Sequence, residues 1–363
     1  MFAWLRRRGG AEPAATPATP CSVRFADGRP PLQVPRGAKL LDAALAAGLP
    51  WPHNCQVGTC GACKTRVLDG RVQPMMDFAL SPLTAEELQA GFVLACQSRV
   101  REDLQVDVPL AAAAPAVVRR QAEVREARRV ATDVMHLHLA LDAPLDFAAG
   151  QYVHLALPGL DAVRAYSICD APQPGGLRAL SLLIRRLPGG RFSETLFNTA
   201  APGAALQLQG PYGSAAPLDP DLPILGVAGG TGLAPMLSLV RDRLSRSAQA
   251  RFTLLLGLRS QADDFATPLL APLQQAFPGR VQVQLWLSDE PAGSAWTGAR
   301  GLVVDGITAP LLQASGAAGA FLCGNAPMVA AARERLRGLG MAAAAIHADA
   351  FAPSGAAAVP PDR

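Results

Sequence analysis

The cysteine spacing around residue 55 constrains this chain more than any other feature of its sequence. Cys55, Cys60 and Cys63 form a C-x4-C-x2-C pattern, and a single Cys96 follows much later. In the plant-type arrangement of a 2Fe–2S cluster, three thiolates come from one loop and the fourth comes from a remote element. The pattern therefore predicts a 2Fe–2S cluster held by these four cysteines.

The residues between these cysteines are small and uncharged. Gly58 and Gly61 lie between the sulfurs. Because glycine has no Cβ, it allows a sharp bend and brings backbone N–H groups close to sulfur. Such N–H groups help to set the reduction potential of a cluster, so the loop composition agrees with the cysteine spacing.

Two other uses of these cysteines fit the sequence less well. A structural zinc site usually combines two short Cys or His clips, whereas here one clip is short and Cys96 stands alone. A disulfide framework is disfavoured because the cysteine count of 7 is odd and the chain shows no secretory features.

Length and charge limit the remaining possibilities. The 363 residues are enough for two or three domains, each with its own core. The net charge is +4 and the basic residues are scattered along the chain. Clustered basic residues mark a nucleic-acid-binding surface, so no nucleic-acid partner is expected.

The start of the chain is expected to be a disordered leader over residues 1–20. Arginines at residues 6–8 could suggest a twin-arginine export signal, but no apolar stretch follows them. The three cysteines beyond the four ligands, Cys21, Cys169 and Cys323, would then be reduced thiols. We therefore expect a cytoplasmic protein.

One uncharged segment, residues 222–240, is long enough to ask whether it spans a membrane. It contains four glycines and Pro235. Glycine and proline at these positions favour a strand, a turn and a helix over a membrane span, so no membrane span is expected.

Changes in pattern divide the rest of the chain into three modules. Residues 21–108 predict an α+β module of the β-grasp type, and the Ala/Pro-rich residues 109–117 predict a semi-rigid linker. Short strands with turns between residues 118 and 218 predict an antiparallel β-barrel. Strands and helices alternate over residues 219–355, which predicts a doubly wound parallel α/β sheet. Residues 356–363 are a short tail.

Some individual elements follow from the same patterns. Thr84 and Glu87 form a capping-box pattern before a short helix. The barrel strands expected from alternation are residues 134–141, 152–157, 165–168, 180–184 and 206–208. The strands expected in the third module are residues 224–228, 252–257, 281–287 and 320–323.

The barrel carries an R-x-Y-S segment, and a Gly-Gly turn opens a helix after it. On a strand Arg164 and Tyr166 share one face, where an arginine can neutralise a pyrophosphate and a tyrosine ring can stack on an isoalloxazine. Taken alone, this segment is more often an ordinary strand. The turn at Gly189 and Gly190 offers free N–H groups to phosphate, and the combination favours flavin binding.

A glycine-rich turn in the third module lies between a strand and a helix, where a dinucleotide pyrophosphate binds. Its residues are Gly229, Gly230, Thr231 and Gly232. Arg259 ends the next strand, where an adenine ribose could lie, and two aspartates follow closely. This charge pattern leans toward NADH over NADPH.

Cys323 and Gly324 end the last strong strand of that module. A residue at the carboxyl end of a parallel strand faces the ligand crevice. Free buried cysteines are nevertheless usually packing residues, so position alone leaves packing as the more ordinary explanation for Cys323.

With these motifs in place, the chain resembles the ferredoxin–NADP reductase superfamily. It is most similar to the NADH-dependent oxygenase reductases that join a plant-type ferredoxin to flavin and nicotinamide domains, and the resemblance covers nearly all of residues 21–355. The ending of the chain is like that of the reductases of naphthalene-type dioxygenases. The segments that carry the resemblance are the four cysteines, RAYS at 164–167, GGRFS at 189–193, GGTGLAP at 229–235, CGNAPM at 323–328 and HADAFAPSG at 347–355.

The resemblance implies roles for individual residues. Ser167 would lie near the reactive N5 of FAD, and Cys323 with Gly324 beside the nicotinamide C4. Asp349 and Phe351 occupy the places of an acid and a terminal aromatic in relatives, although here the chain continues past Phe351. The remaining FAD-binding residues would be Arg164, Ala165, Tyr166, Gly189, Gly190, Arg191, Phe192 and Ser193.

The resemblance also implies a path for electrons, from NADH to FAD, to the 2Fe–2S cluster and on to a partner protein. The expected partner is a terminal oxygenase with a Rieske or di-iron centre, or its intermediate ferredoxin. A deoxysugar dehydrase as acceptor, or a redox carrier or sensor built on a degenerate reductase, are the alternatives. A monomer suits such a shuttle.

The expected docking surface cannot be chosen from net charge. Nine basic residues in the first module are matched by nine acidic residues. Lys64 and Arg66 follow the cluster loop directly, so the partner is expected to dock beside them.

Overall fold

The computed structural model describes residues 19–78, 81–110, 117–214 and 219–351. Most of the expected leader and linker, and the whole expected tail, lie outside the described residues. In the described ranges, no helix is long and apolar enough to cross a bilayer. Residues 222–240 contain a strand, a tight turn and the start of a helix, as predicted.

The first module is an α+β fold around a mixed sheet. Its described strands follow the order β2-β1-β7-β3-β5, with β1 and β7 parallel and the other pairs antiparallel, while β4 and β6 form a separate two-stranded ribbon. The elements are β1 (Cys21–Phe25), β2 (Leu32–Val34), α1 (Leu40–Ala46), β3 (Lys64–Asp69), β4 (Val72–Pro74), α2 (Ala85–Gln89), β5 (Phe92–Leu94), a 3-10 turn (Ala95–Gln97), β6 (Ser98–Val100) and β7 (Leu104–Asp107).

Sequence patterns explain these elements. Alternate residues of β1 are buried in one core with the apolar side of α1 and with Trp51, as expected for a half-exposed strand. The capping box at the start of α2 is present, since Thr84 Oγ1 accepts from Glu87 N and Glu87 accepts from Thr84 N. The α+β prediction for this module is confirmed.

The second module is an antiparallel barrel. Its strands follow the order β11-β10-β13-β8-β9-β12, and a bridge from Ile168 to Leu182 connects the two ends. A bridge at this position closes the sheet on itself. The elements are β8 (Val118–Ala131), β9 (Val134–Leu145), β10 (Tyr152–Ala156), β11 (Val163–Ser167), β12 (Leu177–Arg185), α3 (Arg191–Thr199) and β13 (Ala205–Tyr212).

The long strand β8 is absent from the strands that the sequence predicts. Its residues VRRQAEVREARRVA are rich in charge, and only Ala122 and Val124 are buried. Two apolar positions give too weak an alternation to indicate a strand of 14 residues.

The third module is a parallel sheet in the order β17-β16-β15-β14-β18-β19. Along β14, Leu225 and Val227 pack with one core while Ile224 and Ala228 pack with another on the opposite face, which confirms the doubly wound prediction. The elements are β14 (Ile224–Gly229), α4 (Leu233–Arg246), β15 (Phe252–Leu258), α5 (Thr267–Ala276), β16 (Val281–Leu287), β17 (Ala299–Arg300), α6 (Ala309–Ser315), β18 (Gly319–Asn325), α7 (Ala326–Gly338) and β19 (Ile346–Phe351).

This strand order creates a crevice at a defined place. The chain runs from β14 to β15, β16 and β17 on one side, and returns to β18 and β19 on the other. Ligands of open α/β sheets bind at the carboxyl ends of the strands where the order reverses. The carboxyl ends of β14 and β18 carry the glycine-rich turn and Cys323 respectively.

Two turn glycines of the first module provide a test of backbone constraint. Gly28 and Gly70 have similar positive φ angles, 77° and 81°. A Cβ on Gly28 would meet no other atom, whereas a Cβ on Gly70 would collide with the carbonyl oxygen of Asp103. We expect Gly28→Ala to cost about 1 kcal/mol of folding stability and Gly70→Ala at least twice as much. Thermal unfolding followed by cluster absorbance measures both. Equal losses would contradict the steric explanation.

Candidate functional site

The four predicted cluster cysteines lie together as two pairs of thiols. Cys55 lies close enough to Cys60, and Cys63 close enough to Cys96, for the two thiols of each pair to shift one another's pKa. Cys60, Cys63 and Cys96 are buried, while Cys55 is half-buried. Cys96 lies in the 3-10 turn between β5 and β6, so the fourth thiol comes from a remote element as the spacing predicts.

Backbone N–H groups point at these sulfurs. Cys55 Sγ accepts from Thr59 N at 3.4 Å and from Cys60 N at 3.3 Å, and Cys60 Sγ accepts from Ala62 N at 3.4 Å. The hydrogen bond from Cys60 is the largest cause that lowers the pKa of the Cys55 thiol, to about 5. A thiol that ionises readily is suited to bind metal.

The loop needs unusual backbone angles. Gly58 and Gly61 have φ angles of 88° and 77°, and Gln56 also has a positive φ of 57°, which is uncommon for a residue with a Cβ. A Cβ on Gly58 would lie 2.5 Å from Met76 Sδ. Both glycines are therefore placed where a side chain would prevent the bend.

The donor set of the loop fits a 2Fe–2S cluster. A dinuclear cluster takes thiolates on each of two irons, and the thiols lie as two pairs. The buried side chain of Thr59 lies against Cys55 and helps to lower the pKa of that thiol. A lowered pKa favours the thiolate form that binds iron.

The loop docks on the barrel through its first residues. His53 N donates to Ser214 Oγ at 2.9 Å, and Ser214 N donates to His53 O at 2.8 Å and to Asn54 Oδ1 at 2.9 Å. The ring of His53 contacts Trp51 O through Nδ1 and accepts from Gly213 N at 3.3 Å through Nε2. Burial lowers the pKa of His53, so the ring is neutral and Nδ1 carries the proton.

Tyr152 extends this contact toward the cysteines. Gln56 Nε2 donates to Tyr152 Oη at 2.8 Å, and Tyr152 Oη donates to Asn54 O at 3.2 Å. The phenol is deeply buried, and burial raises its pKa. Tyr152 is therefore a neutral link between the barrel and the cluster loop.

The third module also contacts the cluster loop. Arg333 on α7 donates through Nη2 to Cys60 O at 2.7 Å, and Asn54 Nδ2 donates to Ala348 O on β19 at 3.4 Å. Burial lowers the pKa of Arg333, although a guanidinium retains its charge at physiological pH. A positive charge thus lies next to the backbone of a cluster ligand.

The flavin candidates of the barrel come together as a strand and a helix end. Arg164 is half-buried on β11, and the Tyr166 ring lies 6.0 Å from the Phe192 ring of α3. Helix α3 begins after Gly190 without a side-chain cap. An arginine on the strand and an uncapped helix N-terminus are both groups that bind a pyrophosphate, so the donor set fits FAD.

Two residues of the predicted phosphate turn have structural tasks. Phe192 is buried in the barrel core, and Ser193 Oγ accepts from Leu187 N at 3.0 Å while donating to Gly190 O at 3.2 Å. Gly189 N donates to Glu194 Oε1 at 2.8 Å. Arg191 is exposed at the start of the helix. The cofactor-binding roles given to these side chains stay predictions.

The glycine-rich turn and the Cys323 turn meet backbone to backbone. A Cβ on Gly232 would collide with the carbonyl oxygen of Cys323, and one on Gly324 would lie 3.2 Å from Gly229 N. Gly230 has a φ of 54° and lies beside Arg185. The glycines at this switch point leave room for backbone close to a ligand, which fits a nicotinamide dinucleotide.

Cys323 and Asp349 are direct neighbours on adjacent strands. They are register partners in the β18–β19 pair, and both are buried. Burial raises the pKa of Cys323. Burial first, and then Cys55, raise the pKa of Asp349 to about 7. Ser167 is also buried, at the end of β11, whereas Phe351 is half-buried at the end of β19.

Arg259, the residue predicted beside an adenine ribose, is bound by carboxylates. Its Nη2 lies 3.2 Å from Asp133 of the barrel and 3.1 Å from Asp263, and Arg185 lies 3.0 Å from the same Asp133. Asp133 therefore joins the barrel to the third module beside the predicted ribose position.

Most of the contacts that assemble the site leave no recognisable pattern in the sequence. His53, Asn54, Ser214 and Arg333 carry no motif that indicates their partners. For Tyr152, the one indication in the sequence is its position directly after the Gly-Gln pair at the start of a barrel strand. Residues that meet across 160 or more positions, as His53 and Gly213 do, leave no local pattern.

Three family models match the chain, one for each module. Residues 26–101 match the 2Fe-2S iron-sulfur cluster binding domain, residues 121–216 match the oxidoreductase FAD-binding domain, and residues 227–334 match the oxidoreductase NAD-binding domain. These matches agree with the three cofactors that the motifs predict.

Whole proteins with the same domain order are also similar. The chain is 34% identical to a xylene/toluene monooxygenase electron transfer component of Pseudomonas putida, over 88% of this chain and 90% of that one. It is 30% identical to a CDP-6-deoxy-L-threo-D-glycero-4-hexulose-3-dehydrase reductase of Yersinia pseudotuberculosis, over 87% and 93%. The crystal structure of the Amycolatopsis cytochrome P450 reductase GcoB matches with a TM-score of 0.71 and 31% identity, covering 92% of this chain and 99% of that one.

Removing the charge of Arg333 tests its contact with the cluster loop. We expect Arg333→Gln to lower the cluster reduction potential by roughly 50 mV, about 1 kcal/mol for one electron, because a nearby cation favours the reduced cluster. The exposed Arg337 on the same helix is the matched control, as Arg337→Gln. Redox titration followed by electron paramagnetic resonance measures both. Equal potentials in the two variants would contradict a specific effect.

Asp349 predicts a dependence of stability on pH. Its folded pKa of about 7 exceeds the ordinary value of 3.8, so folding becomes less favourable as pH rises from about 4 to 7. Asp349→Asn removes this loss of stability. We therefore expect the difference in unfolding free energy, variant minus native, to increase by about 1–3 kcal/mol from pH 5 to pH 8, as measured from the unfolding midpoints. Asp161→Asn, at an exposed position, should leave the difference constant. A pH-independent difference for Asp349→Asn would mean that this carboxyl titrates normally.

Proposed function

The chain belongs to the ferredoxin–NADP reductase superfamily, among the members with an N-terminal plant-type 2Fe–2S domain, and we propose that it passes electrons from NADH to a terminal oxygenase or its ferredoxin. It is an oxidoreductase. The observation that carries the proposal is the meeting of the three modules at one place. Asn54 of the cluster loop contacts Ser214 after the barrel and Ala348 beside Asp349.

When bound, FAD accepts a hydride from NADH and releases the two electrons singly, and the 2Fe–2S cluster carries one electron at a time. The chain supplies position and electrostatics. Cys55, Cys60, Cys63 and Cys96 hold the cluster. The docking of His53, Asn54 and Gln56 on the barrel sets the distance between the cluster and the flavin site.

The barrel positions FAD. Arg164 and the N-terminus of α3 would neutralise the pyrophosphate. The Tyr166 ring, which lies 6.0 Å from the Phe192 ring, would stack on the isoalloxazine. The buried Ser167 would supply a hydroxyl near the reactive nitrogen.

The third module positions NADH. The turn from Gly229 to Gly232 would hold the dinucleotide, and Arg259 would lie at the adenine ribose. Cys323 and Gly324, at the carboxyl end of β18, would lie beside the nicotinamide ring. Asp349 would lie next to this site, because it is the register partner of Cys323 on the adjacent strand. Phe351 covers the flavin edge of this site.

The identity of the acceptor rests on the relatives. Of the proteins similar to this chain, one is named as the electron transfer component of a monooxygenase and another as a dehydrase reductase. The domain order is shared by both, and nothing in the described residues favours the dehydrase. The glycine turn and Cys323 turn are packed as an intact dinucleotide crevice, which counts against a degenerate reductase that acts as a carrier or sensor.

We also infer a monomer in the cytosol. None of the seven cysteines, all of which lie in the described ranges, forms a disulfide, as expected in a reducing compartment. A monomer leaves the cluster module accessible to a partner.

Cys323→Ala tests the nicotinamide side of the site. We expect flavin reduction by NADH to slow about tenfold or more, because the proposal puts Cys323 against the nicotinamide ring, while FAD remains bound. Cys21→Ala, which truncates another buried cysteine in the first module, is the control and should leave the rate unchanged. Stopped-flow absorbance measures both rates, and an unchanged rate in Cys323→Ala would remove this residue from the hydride-transfer site.

The function as a whole is tested with the purified protein loaded with FAD and cluster. NADH should reduce ferricyanide, and anaerobic NADH should bleach the cluster absorbance within the same preparation. Ferricyanide reduction without cluster bleaching would contradict the electron path, and the absence of both would contradict the reductase assignment.

A further inference from the structure

We propose that the β4–β6 ribbon and the arginines around it dock an acidic electron-acceptor protein. Here the arginine ribbon means β4, β6 and the four residues Arg36, Arg71, Arg99 and Arg101. The inference rests on the proposed function, because it names the surface and the charge of the partner that receives the electron.

The arginine ribbon is continuous with the cluster ligands. Strand β6 begins two residues after Cys96. Gln97 joins the ribbon to the cluster loop, since its O accepts from Met75 N at 2.9 Å and its Nε2 donates to Gln56 O at 3.4 Å. Electron transfer to another protein requires the donor to lie near the contact surface, and the ribbon begins at the cluster.

The arginines of the arginine ribbon are held by neutral groups rather than by carboxylates. Arg99 Nη1 donates to Gly37 O at 2.7 Å, and Arg101 Nε donates to Gln73 Oε1 at 2.8 Å, so both arginines are held by neutral acceptors. Arg36, Arg71 and Arg101 are exposed. None of the four forms an ion pair with a described carboxylate.

The rest of the module distributes its charge differently. Four of its nine basic residues are neutralised by ion pairs, Arg24 with Asp69, Arg29 with Asp27, Lys39 with Asp42 and Lys64 with Glu87. Arg66 is the fifth residue outside the ribbon. The carboxylates closest in sequence to the ribbon are Glu102, which follows Arg101, and then Asp69 and Asp103. Asp69 pairs with Arg24, and Asp103 accepts a hydrogen bond from Ser22 N. Balanced net charge thus conceals a local excess of positive charge at one edge.

Apolar surface lies at the cluster end of the same ribbon. Val57 and Met75 are 39% and 41% exposed and belong to the few large apolar side chains that are exposed among the described residues. An apolar centre with a charged rim is typical of protein interfaces, and complementary charge mainly raises the rate of association. The expected partner therefore has an acidic rim around its redox centre.

The structure disfavours the docking surface expected beside Lys64 and Arg66. Lys64 Nζ lies 2.6 Å from Glu87 Oε1, so its charge is compensated. The opposite side of the loop, at His53 and Asn54, is covered by the barrel. Among the described basic residues of the module, Arg66 is the one outside the ribbon without an ion pair, so the arginine ribbon holds the larger group of unpaired positive charges near the cluster.

Charge reversal at two exposed positions tests the proposal. Arg71→Glu/Arg101→Glu is compared with Arg24→Glu/Arg66→Glu, which makes the same change in net charge at other exposed positions of the module. The probes are cytochrome b5, an acidic one-electron acceptor, and cytochrome c, a basic one. NADH-driven reduction of each is measured at low and high ionic strength, with the cluster spectrum as a control for folding.

We expect the ribbon variant to lose about tenfold or more in kcat/KM for cytochrome b5 at low ionic strength, with the difference shrinking in high salt. Its reduction of cytochrome c should not fall, and the comparison variant should stay within about twofold of the native protein. Equal losses in both variants, or no loss in the ribbon variant, would overturn the proposal. Failure of the native protein to reduce ferricyanide would instead count against the proposed function.

Discussion

The structure depends on one contact, the docking of the cluster loop between the barrel and the third module. His53, Asn54 and Gln56 satisfy their polar groups on Ser214, Gly213 and Tyr152, and Arg333 reaches the loop from the other side. Buried polar groups are costly when they lack partners. Undocking the loop would break all of these hydrogen bonds together, so the position of the cluster relative to the other two sites is determined by a cooperative set of contacts.

In the third module, the reversal of strand order brings the turns of the dinucleotide crevice together. Gly232 and Gly324 bring two turns into backbone contact at the carboxyl ends of β14 and β18. The neighbouring strand β19 places Asp349 beside Cys323, and Asn54 of the cluster loop contacts Ala348 next to it. The cluster loop therefore contacts β19, the strand that lies next to the dinucleotide crevice.

The features that could be predicted from the sequence are those that depend on residues close together in the chain. The cysteine spacing, the capping box at Thr84, the glycine-rich turn and the alternation of strands and helices each depend on neighbours in the chain, and the fold class follows from them. Strand β8 escaped prediction because packing across the barrel stabilises its charged residues in a strand. Arg333 escaped because α7 shows only an amphipathic pattern, and nothing in that pattern indicates Cys60. The docking surface could not be predicted for the same reason. The sequence shows nine basic residues, but only the structure shows which of them form ion pairs and which are left without a carboxylate partner.

The continuity between the docking residues and the metal-binding loop has a thermodynamic consequence. His53, Asn54 and Gln56 contact the barrel and flank the ligand Cys55, so the loop conformation that docks also positions this thiol for iron. A ligand that binds one conformation stabilises it. Cluster insertion and domain closure are therefore linked equilibria, and a chain that has lost its iron will hold its first module less tightly against the other two.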